Sequence, residues 1–392
     1  MKRESALADS AFRFVLTMGI VNLFADMSYE GGGSINGAFM SSLGAGAAII
    51  SVAAGLGEFL GYSLRSVAGY VADRTGRHWT MTFVGYGVNL LAVPAMALAG
   101  SWRLAAVLIL AERIGRALRK PTVEAMLSYT SGKHGKGWVY AVNTALDETG
   151  ATVGPLIVAA VLFLKGSYPN AYALLLLPAL LALTTLAAAR WRFPLPEKLG
   201  SEETASASGF GVSYWLSMIA AACFAAGLMS YELLSYHLNA SGIMAQAWVP
   251  VLLAFATGSG VLANLILGKT YDRFGLRVLL LAVALSALFT PLALSTQHRW
   301  LVVAAMPLLG IGYAVQDTLL KAIVAGMLPK GRRDLAFGLF YTGYGCGWLL
   351  GSLAMGLLYG RSRAALIGVA VIAQLGSLPV FLAASRRKSR GH

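Results

Sequence analysis

The sequence predicts an all-α membrane protein with twelve transmembrane helices in two pseudo-symmetric six-helix bundles, and three observations carry that prediction. The first is composition. Hydrophobic residues make up 57% of the chain and charged residues 12%, half the roughly 25% charged that soluble domains carry. The second is the number of apolar stretches, about twelve, that approach the ~20 residues a helix needs to cross ~30 Å of hydrocarbon. With no water in the bilayer to satisfy backbone groups, such stretches are helical. The third is internal repetition. Gly69-Tyr-Val-Ala-Asp73-Arg74-Thr-Gly76-Arg77 returns 199 residues later as Gly268-Lys-Thr-Tyr-Asp272-Arg273-Phe-Gly275. Met27-Ser28-Tyr29-Glu30 returns letter for letter at 229–232, and Gly150-x-x-x-Gly154 is matched by Gly347-x-x-x-Gly351. Nearly equal offsets mean two homologous halves: residues 1–189, a polar cytoplasmic linker at 190–212, and residues 213–392.

The first half is expected to span at 12–36, 43–68, 79–99, 103–127, 138–164 and 170–189. Span 1 carries Asn22, Asp26 and Glu30 every four residues, which places them on one stripe. Counting ~1.5 Å per residue from Arg13 puts Asp26 ~20 Å and Glu30 ~26 Å along the helix, in the outer half. Span 2 carries a similar stripe of Glu58, Tyr62 and Arg65, read as a gate or a packing network. In the loop that follows, glycines permit a tight turn, and Asp73 at a helix end can accept bonds from basic groups or helix N-termini. Span 4 holds Glu112, Arg113, Arg116, Arg119 and Lys120. Glu112 and Arg116 can pair four residues apart, while Arg119 and Lys120 are expected to snorkel to the cytoplasmic headgroups. Span 5 holds Asn143, Asp147 and Glu148, the two acids ~15 Å from the cytoplasmic end and close to the midplane. Its Gly150-x-x-x-Gly154-Pro155 reads equally as a small-residue packing groove with a kink.

The second half is expected to span at 213–238, 247–267, 278–296, 300–328, 336–359 and 364–384. Span 7 carries Glu232, the twin of Glu30, and span 10 carries Gln316, Asp317 and Lys321, the last two spaced to pair. Tyr29, Tyr231, Tyr236, Tyr313, Tyr341, Tyr344 and Trp348 are aromatics that can wall an organic solute or simply pack. Spans 3, 6, 9 and 12 have no Asp, Glu, Lys or Arg in their interiors. A charge at the bilayer centre costs ~2.5–3.5 kcal/mol even on the lenient insertion scale. The charged spans therefore face protein or a wet cavity, and every third span faces lipid.

The net charge of +14 is explained by its distribution. With the N-terminus in the cytoplasm, 20 of the 31 Lys and Arg fall inside and 5 outside, the rest within spans. That is a positive-inside bias with both termini cytoplasmic, and it disfavours a nucleic-acid partner. No cleavable signal peptide is expected, because no short apolar core with a small-residue cleavage site precedes span 1. Cys223 and Cys346 lack a CxxC spacing, which disfavours disulfide and structural zinc. The sequence has no Gly-x-x-x-x-Gly-Lys-Ser/Thr phosphate loop and no His-Glu-x-x-His.

The twelve-span plan and the charged loops after spans 2 and 8 resemble the major facilitator superfamily, whose loop signature is Gly-x-x-x-Asp-Arg-x-Gly-Arg followed by Arg or Lys. Gly69, Asp73, Arg74, Gly76 and Arg77 match it, with His78 in the last place. The second copy keeps Gly268, Asp272, Arg273 and Gly275, has Leu276 where an Arg is expected, and regains Arg277. The resemblance implies that this loop latches the outward-facing state, that spans 1 and 7 line a central cavity, and that the protein is a monomer. Gly150, Gly154 and Pro155 resemble the fifth-helix antiporter motif of the proton-driven drug exporters, with Val158 and Ala159 where that motif has a glycine pair. Arg113 matches the fourth-helix arginine those exporters use in proton coupling; the glutamine and glycine expected after it are absent from their places.

The expectation is a secondary active transporter of a small solute or ion in a prokaryotic inner membrane. It would work by alternating access, as a proton-coupled exporter (antiporter) with no resident cofactor or metal. The expected substrate and proton-coupling residues are Asn22, Asp26, Glu30, Arg113, Asp147, Glu148, Glu232, Gln316 and Asp317. A second expectation is a divalent transition-metal exporter using Asp26, Glu30, Glu232, Met27, Met229 and His237, a loosely suitable donor mixture. A third is an intramembrane enzyme or a non-transporting sensor. The scattered histidines (His78, His134, His237, His298, His392) argue against the enzyme.

Overall fold

The computed structural model describes residues 2–134, 136–194, 211–294, 298–325 and 333–390, and no strand occurs among them. The helices follow the predicted spans one by one. Span 1 is α1 (Lys2–Gly33) with a short α2 (Asn36–Ser42) after it, and span 2 is α3 (Ala47–Thr75). Next come α4 (His78–Ala95), α5 (Trp102–His134), α6 (Lys136–Phe163), and α7 (Tyr168–Leu174) with α8 (Leu176–Arg192). The remainder comprises α9 (Val212–Gly227), α10 (Tyr231–Ser241), α11 (Trp248–Phe274), α12 (Leu276–Ser286) and α13 (Phe289–Ala293). These are followed by α14 (Arg299–Ala314), a π turn at Val315–Leu319, α15 (Leu320–Ala325), α16 (Arg333–Tyr359) and α17 (Arg363–Arg390). Among the described residues nine segments are long and apolar enough to cross a membrane. The crossings built on α1, α5 and α16 are more polar. Most of the predicted linker lies outside the described residues.

Several spans expected to be continuous are broken, and proline explains two of the breaks. A proline ring clashes with the carbonyl four residues earlier and supplies no N–H. Pro178 and Pro291 place that clash at Leu174, the last residue of α7, and at Ala287, the residue that follows α12. The repeated Met-Ser-Tyr-Glu takes two forms. In α1 it is helix interior, whereas at 229–232 it contains the α9–α10 junction, and Ser230 Oγ accepts from Leu233 N at 3.3 Å to cap α10.

Helices α1–α8 form one set around two apolar clusters, and α9–α17 form a second set around another that also takes in Ala47 and Tyr62 of α3. Close approach is secured by small residues, as packing in lipid requires. Gly150 and Gly154 of α6 lie directly on the backbone of α1, and Gly347 and Gly351 of α16 lie on the backbone of α9 in the matching way; a Cβ at any of the four would overlap main chain. The packing-groove reading of those glycines is therefore physically satisfied. Between the sets, α3 packs on α16, α6 on α11, and α2 on α10. Val84, Val88 and Leu91 of α4, Leu177 and Leu180 of α8, Leu281 of α12 and Ile372 of α17 are exposed, as the uncharged spans predict.

Phe14 of α1 packs with Trp79 and Phe193, and Ser213 at the start of α9 donates to Ala384 O near the end of α17 at 2.6 Å. That side of the bundle is the terminal end. The side bearing α2 and α10 is the far end.

Candidate functional site: an intramembrane charge network

Three arginines on α5 organise the site. Spaced by three residues, Arg113, Arg116 and Arg119 drift slowly around the helix and so reach different neighbours. Arg113 Nη1 lies 3.1 Å from Glu58 Oε1 of α3, its Nη2 3.1 Å from Glu232 Oε1 of α10, and its Nε 3.4 Å from Glu112 Oε2. Arg116 donates to Glu112 Oε1 from Nε at 3.1 Å and from Nη2 at 2.9 Å, and its Nη1 lies 3.9 Å from Glu30 Oε1. Its guanidinium sits 4.2 Å from the centre of the Tyr29 ring, a favourable arrangement for a desolvated cation.

Arg119 corrects an expectation. It does not snorkel to the headgroups: it is 4% exposed, its Nη2 lies 3.8 Å from Asp26 Oδ1, and its Nη1 donates to Asn22 Oδ1 at 3.4 Å. The Tyr86 and Tyr29 rings lie 4.5 and 5.3 Å away. The reason is length: α5 continues to His134, so Arg119 stands mid-helix with partners nearer than water. Asp26 also faces Asp147 of α6 within hydrogen-bonding reach, and Glu148 interacts with Asp317 of the π turn.

The second set contributes a different chemistry. Gln316 donates to the Tyr62 hydroxyl of α3 and accepts from the Tyr344 hydroxyl of α16 at 2.8 Å. Tyr62 stacks on Tyr341 at 5.4 Å, and Arg65 lies over Tyr62 at 4.7 Å. Lys321 Nζ is 3.5 Å from Asp317 Oδ1, both side chains about half exposed.

Two residues of the uncharged α4 belong to the network as well. Asn89 donates to Glu112 Oε1 at 2.8 Å, and Tyr86 donates to Asn22 Oδ1 at 2.5 Å. Sorting spans by charge passes over them. Thr82, Tyr86 and Asn89 recur at helical spacing on one face of an apolar span, and that was the available signal. A small cavity beside the network is lined by Tyr29, Glu30, Asn36, Arg113, Arg116 and Tyr172 on one side and by apolar residues of α4 and α5 on the other.

The metal-exporter donors are not gathered. His237 Nδ1 is 2.7 Å from the Tyr359 hydroxyl, Met229 is fully buried in the second set, and Asp26 and Glu232 each face an arginine. Among the described residues no group of three or more His, Cys, Asp and Glu side chains is placed to hold a metal ion.

The repeated loops occupy equivalent places. Gly76 (φ 63°) ends α3 and Gly275 (φ 59°) separates α11 from α12, both in the left-handed region that favours glycine. Gly69 lies against Pro121 of α5, and Gly268 against Thr318 of the π turn. Arg74 donates to Tyr70 at 2.9 Å, Arg77 precedes α4, and Arg273 lies over Phe274. The side chains of Asp73, Asn143 and Asp272 lie outside the described residues.

Comparison with known proteins places this architecture. The chain is 35% identical over 382 residues to Mycobacterium tuberculosis protein Rv2265, covering 95% of this chain and 93% of that one. It is 25% identical over 360 residues to the MFS-type transporter MJ1317 of Methanocaldococcus jannaschii, covering 88% of each. In fold it resembles crystal structures of the nucleoside transporter NupG (TM-score 0.76, 13% identity, 94% of this chain and 100% of that one) and of the peptide transporter POT (TM-score 0.76, 14% identity, 98% and 99%). The profile of the Major Facilitator Superfamily matches residues 18–213 and again 210–392, nearly the entire chain. A helical membrane protein whose two successive segments each match this profile, with buried charge between apolar outer helices, is a membrane transporter and not an enzyme: the chain belongs to the major facilitator superfamily.

Proposed function

We propose that this transporter exports a small solute in exchange for protons. The bundles 1–189 and 213–392 rock about a central site, and a monomer in a prokaryotic inner membrane keeps both termini cytoplasmic. The observation that carries the reading is the facing of Asp26 and Asp147, carboxyls of two helices, beside the single cation Arg119. Two carboxylates against one guanidinium leave an uncompensated negative charge in a low-dielectric setting, which a proton or a cationic solute relieves. Glu148 and Asp317 extend the same excess toward the terminal end. The positive-inside bias supports the orientation, and the loops at Gly69–Arg77 and Gly268–Gly275 are assigned to latching the conformation open at the far end.

The test is reconstitution into vesicles carrying an internal pH dye, with organic cations, organic anions and transition metals offered across a proton gradient. Solute-dependent proton movement is expected with one class and is expected to fall by about tenfold or more in Asp147→Asn and in Asp26→Asn, since each removes an interaction made by the coupling group itself. Unchanged proton-linked flux in both variants would remove the assignment.

A further inference from the structure

The Arg113–Glu232 contact differs from every other ion pair in the network, because it joins the two sets of helices. Arg113 stands on α5 and Glu232 opens α10. Around it the far end is sealed by backbone and small polar groups. Ala38 N donates to Ser235 Oγ at 2.9 Å, Asn239 Nδ2 donates to Ser41 Oγ at 3.4 Å, and Gly37 lies so close to the Glu232 carbonyl that no Cβ fits there. Glu232 is thus fastened twice, by its main chain against α2 and by its carboxylate on Arg113.

The same carboxylate, its side chain 12% exposed, is buried beside three other acids. Arg113 and Arg116 are the only cations among the described residues that pair with Glu30, Glu58, Glu112 and Glu232, so four carboxylates share two positive charges. The other groups facing Glu232 and its partners are Tyr29 of α1, Tyr62 of α3, Tyr172 of α7, Tyr231 of α10, Tyr313 of α14 and Tyr344 of α16, together with Glu148 of α6 beside Glu30 and, as a further cation, Arg119 of α5 acting on Glu112. Parting the far end would carry Glu232 away from Arg113 and the other three acids and into water, and closing it buries the carboxylate, which disfavours its charge, and reunites all four acids. The closed arrangement is therefore the one that binds positive charge more tightly, and by linkage positive charge bound there favours closure.

We infer that the Arg113–Glu232 pair is the gate of the far end, and that protons taken up among Glu30, Glu112 and Glu232 hold it shut. Its place in a transport cycle rests on the proton-coupled reading above. Acid on the far side loads the network and closes the gate behind the proton, and loss of the proton toward the terminal end frees the gate to reopen. Glu232 and Arg113 are positioning residues in this scheme, setting which end is open without being required to touch the solute.

The experiment reads conformation and needs no solute. Spin labels are placed on the exposed ends of α2 and α10 through Ser42→Cys and Ala240→Cys, with Cys223→Ser and Cys346→Ser removing the native thiols, in the full chain in lipid nanodiscs. The ratio of close to distant label pairs is measured from about pH 5 to about pH 8, a range that a carboxyl displaced by burial can reach. In the otherwise native chain that ratio is expected to fall by about fivefold or more as the pH rises, the lower limit of ordinary coupling. Glu232→Gln keeps an acceptor for Arg113 and removes the charge, so it is expected to hold the close population across the range. A flat profile in the native chain overturns the inference without reference to any variant, as does a Glu232→Gln profile that follows the native one. Because Asp26 and Asp147 are untouched, loss of proton flux in Asp147→Asn with a pH-independent far end would sink the gate alone, and the reverse pattern the coupling site alone.

Discussion

At the scale of the residue, the pairing of Arg119 decides how much of the site is structural. Arg119 is enclosed by Asn22, Asp26, Tyr29 and Tyr86, and removing it takes away the cation paired with Asp26, which still faces Asp147. Breaking a buried pair on one side costs ~3–5 kcal/mol. Arg119→Met is accordingly expected to lower the thermal midpoint in detergent markedly, and adding Asp26→Asn should restore a good part of it. The double-mutant cycle measures that coupling, and additive losses would mean the two side chains do not depend on each other. Arg119→Lys keeps the charge but loses the planar fork and its contact with two rings, so an intermediate midpoint is expected. The identity of the charged residues was legible in the sequence, since their transfer cost alone marks them as inward-facing. Their partners were not, because pairing between helices depends on rotation and tilt. A span ending at 127 sets Arg119 within reach of the headgroups, whereas α5 runs on to His134.

At the scale of the element, the π turn at Val315–Leu319 is where a regular crossing gives way, and such turns gather at functional positions. Gln316 within it ties Tyr62 of α3 to Tyr344 of α16. Gln316→Leu would leave two tyrosine hydroxyls without that amide, and an unmet buried polar group costs ~1–3 kcal/mol. The expected result is a lower thermal midpoint together with a reduced maximal transport rate, because the bridge joins the two sets that rock against each other in the proposed cycle. A lowered midpoint with unaltered transport would confine Gln316 to packing. The sequence marked Gln316 only by its place next to Asp317 and gave no sign of the π turn. Breaks made by Pro178 and Pro291 were readable in principle from the proline rule. The α9–α10 junction was not: Met-Ser-Tyr-Glu is identical in its two copies, so those four residues alone do not decide between helix interior and helix start.

At the scale of the whole molecule, the doubled sequence is reflected in matched packing, with Gly150 and Gly154 on α1 and Gly347 and Gly351 on α9. The charge is not doubled. The arginine triplet of α5 has no counterpart in the second set, whose intramembrane charges are Glu232, Asp317 and Lys321. Repetition therefore makes the scaffold legible and, of the site, only Glu30 and its twin Glu232, because the other charges lie where the two copies have diverged. One consequence concerns the terminal end. Glu148 of α6 and Asp317 of the π turn act on each other from opposite sets, and Asp317 is about half exposed. In the proposed cycle that end closes and draws them together. At ~4 Å and an effective dielectric of about 20, two like charges repel by about 4 kcal/mol, and the exposure of Asp317 and the nearby Lys321 reduce that figure. Even the reduced term opposes closure until a proton or a cationic solute arrives. Asp317→Asn should then favour the form closed at the terminal end without any solute. A thiol introduced through Glu124→Cys on α5, exposed in the present conformation, reports on this through its reaction with an impermeant maleimide in the Cys223→Ser, Cys346→Ser background. Labelling is expected to slow by several-fold, up to about tenfold for each ~1.4 kcal/mol of repulsion removed. Equal rates with and without Asp317→Asn would mean that the facing carboxylates do not set the position of the terminal end.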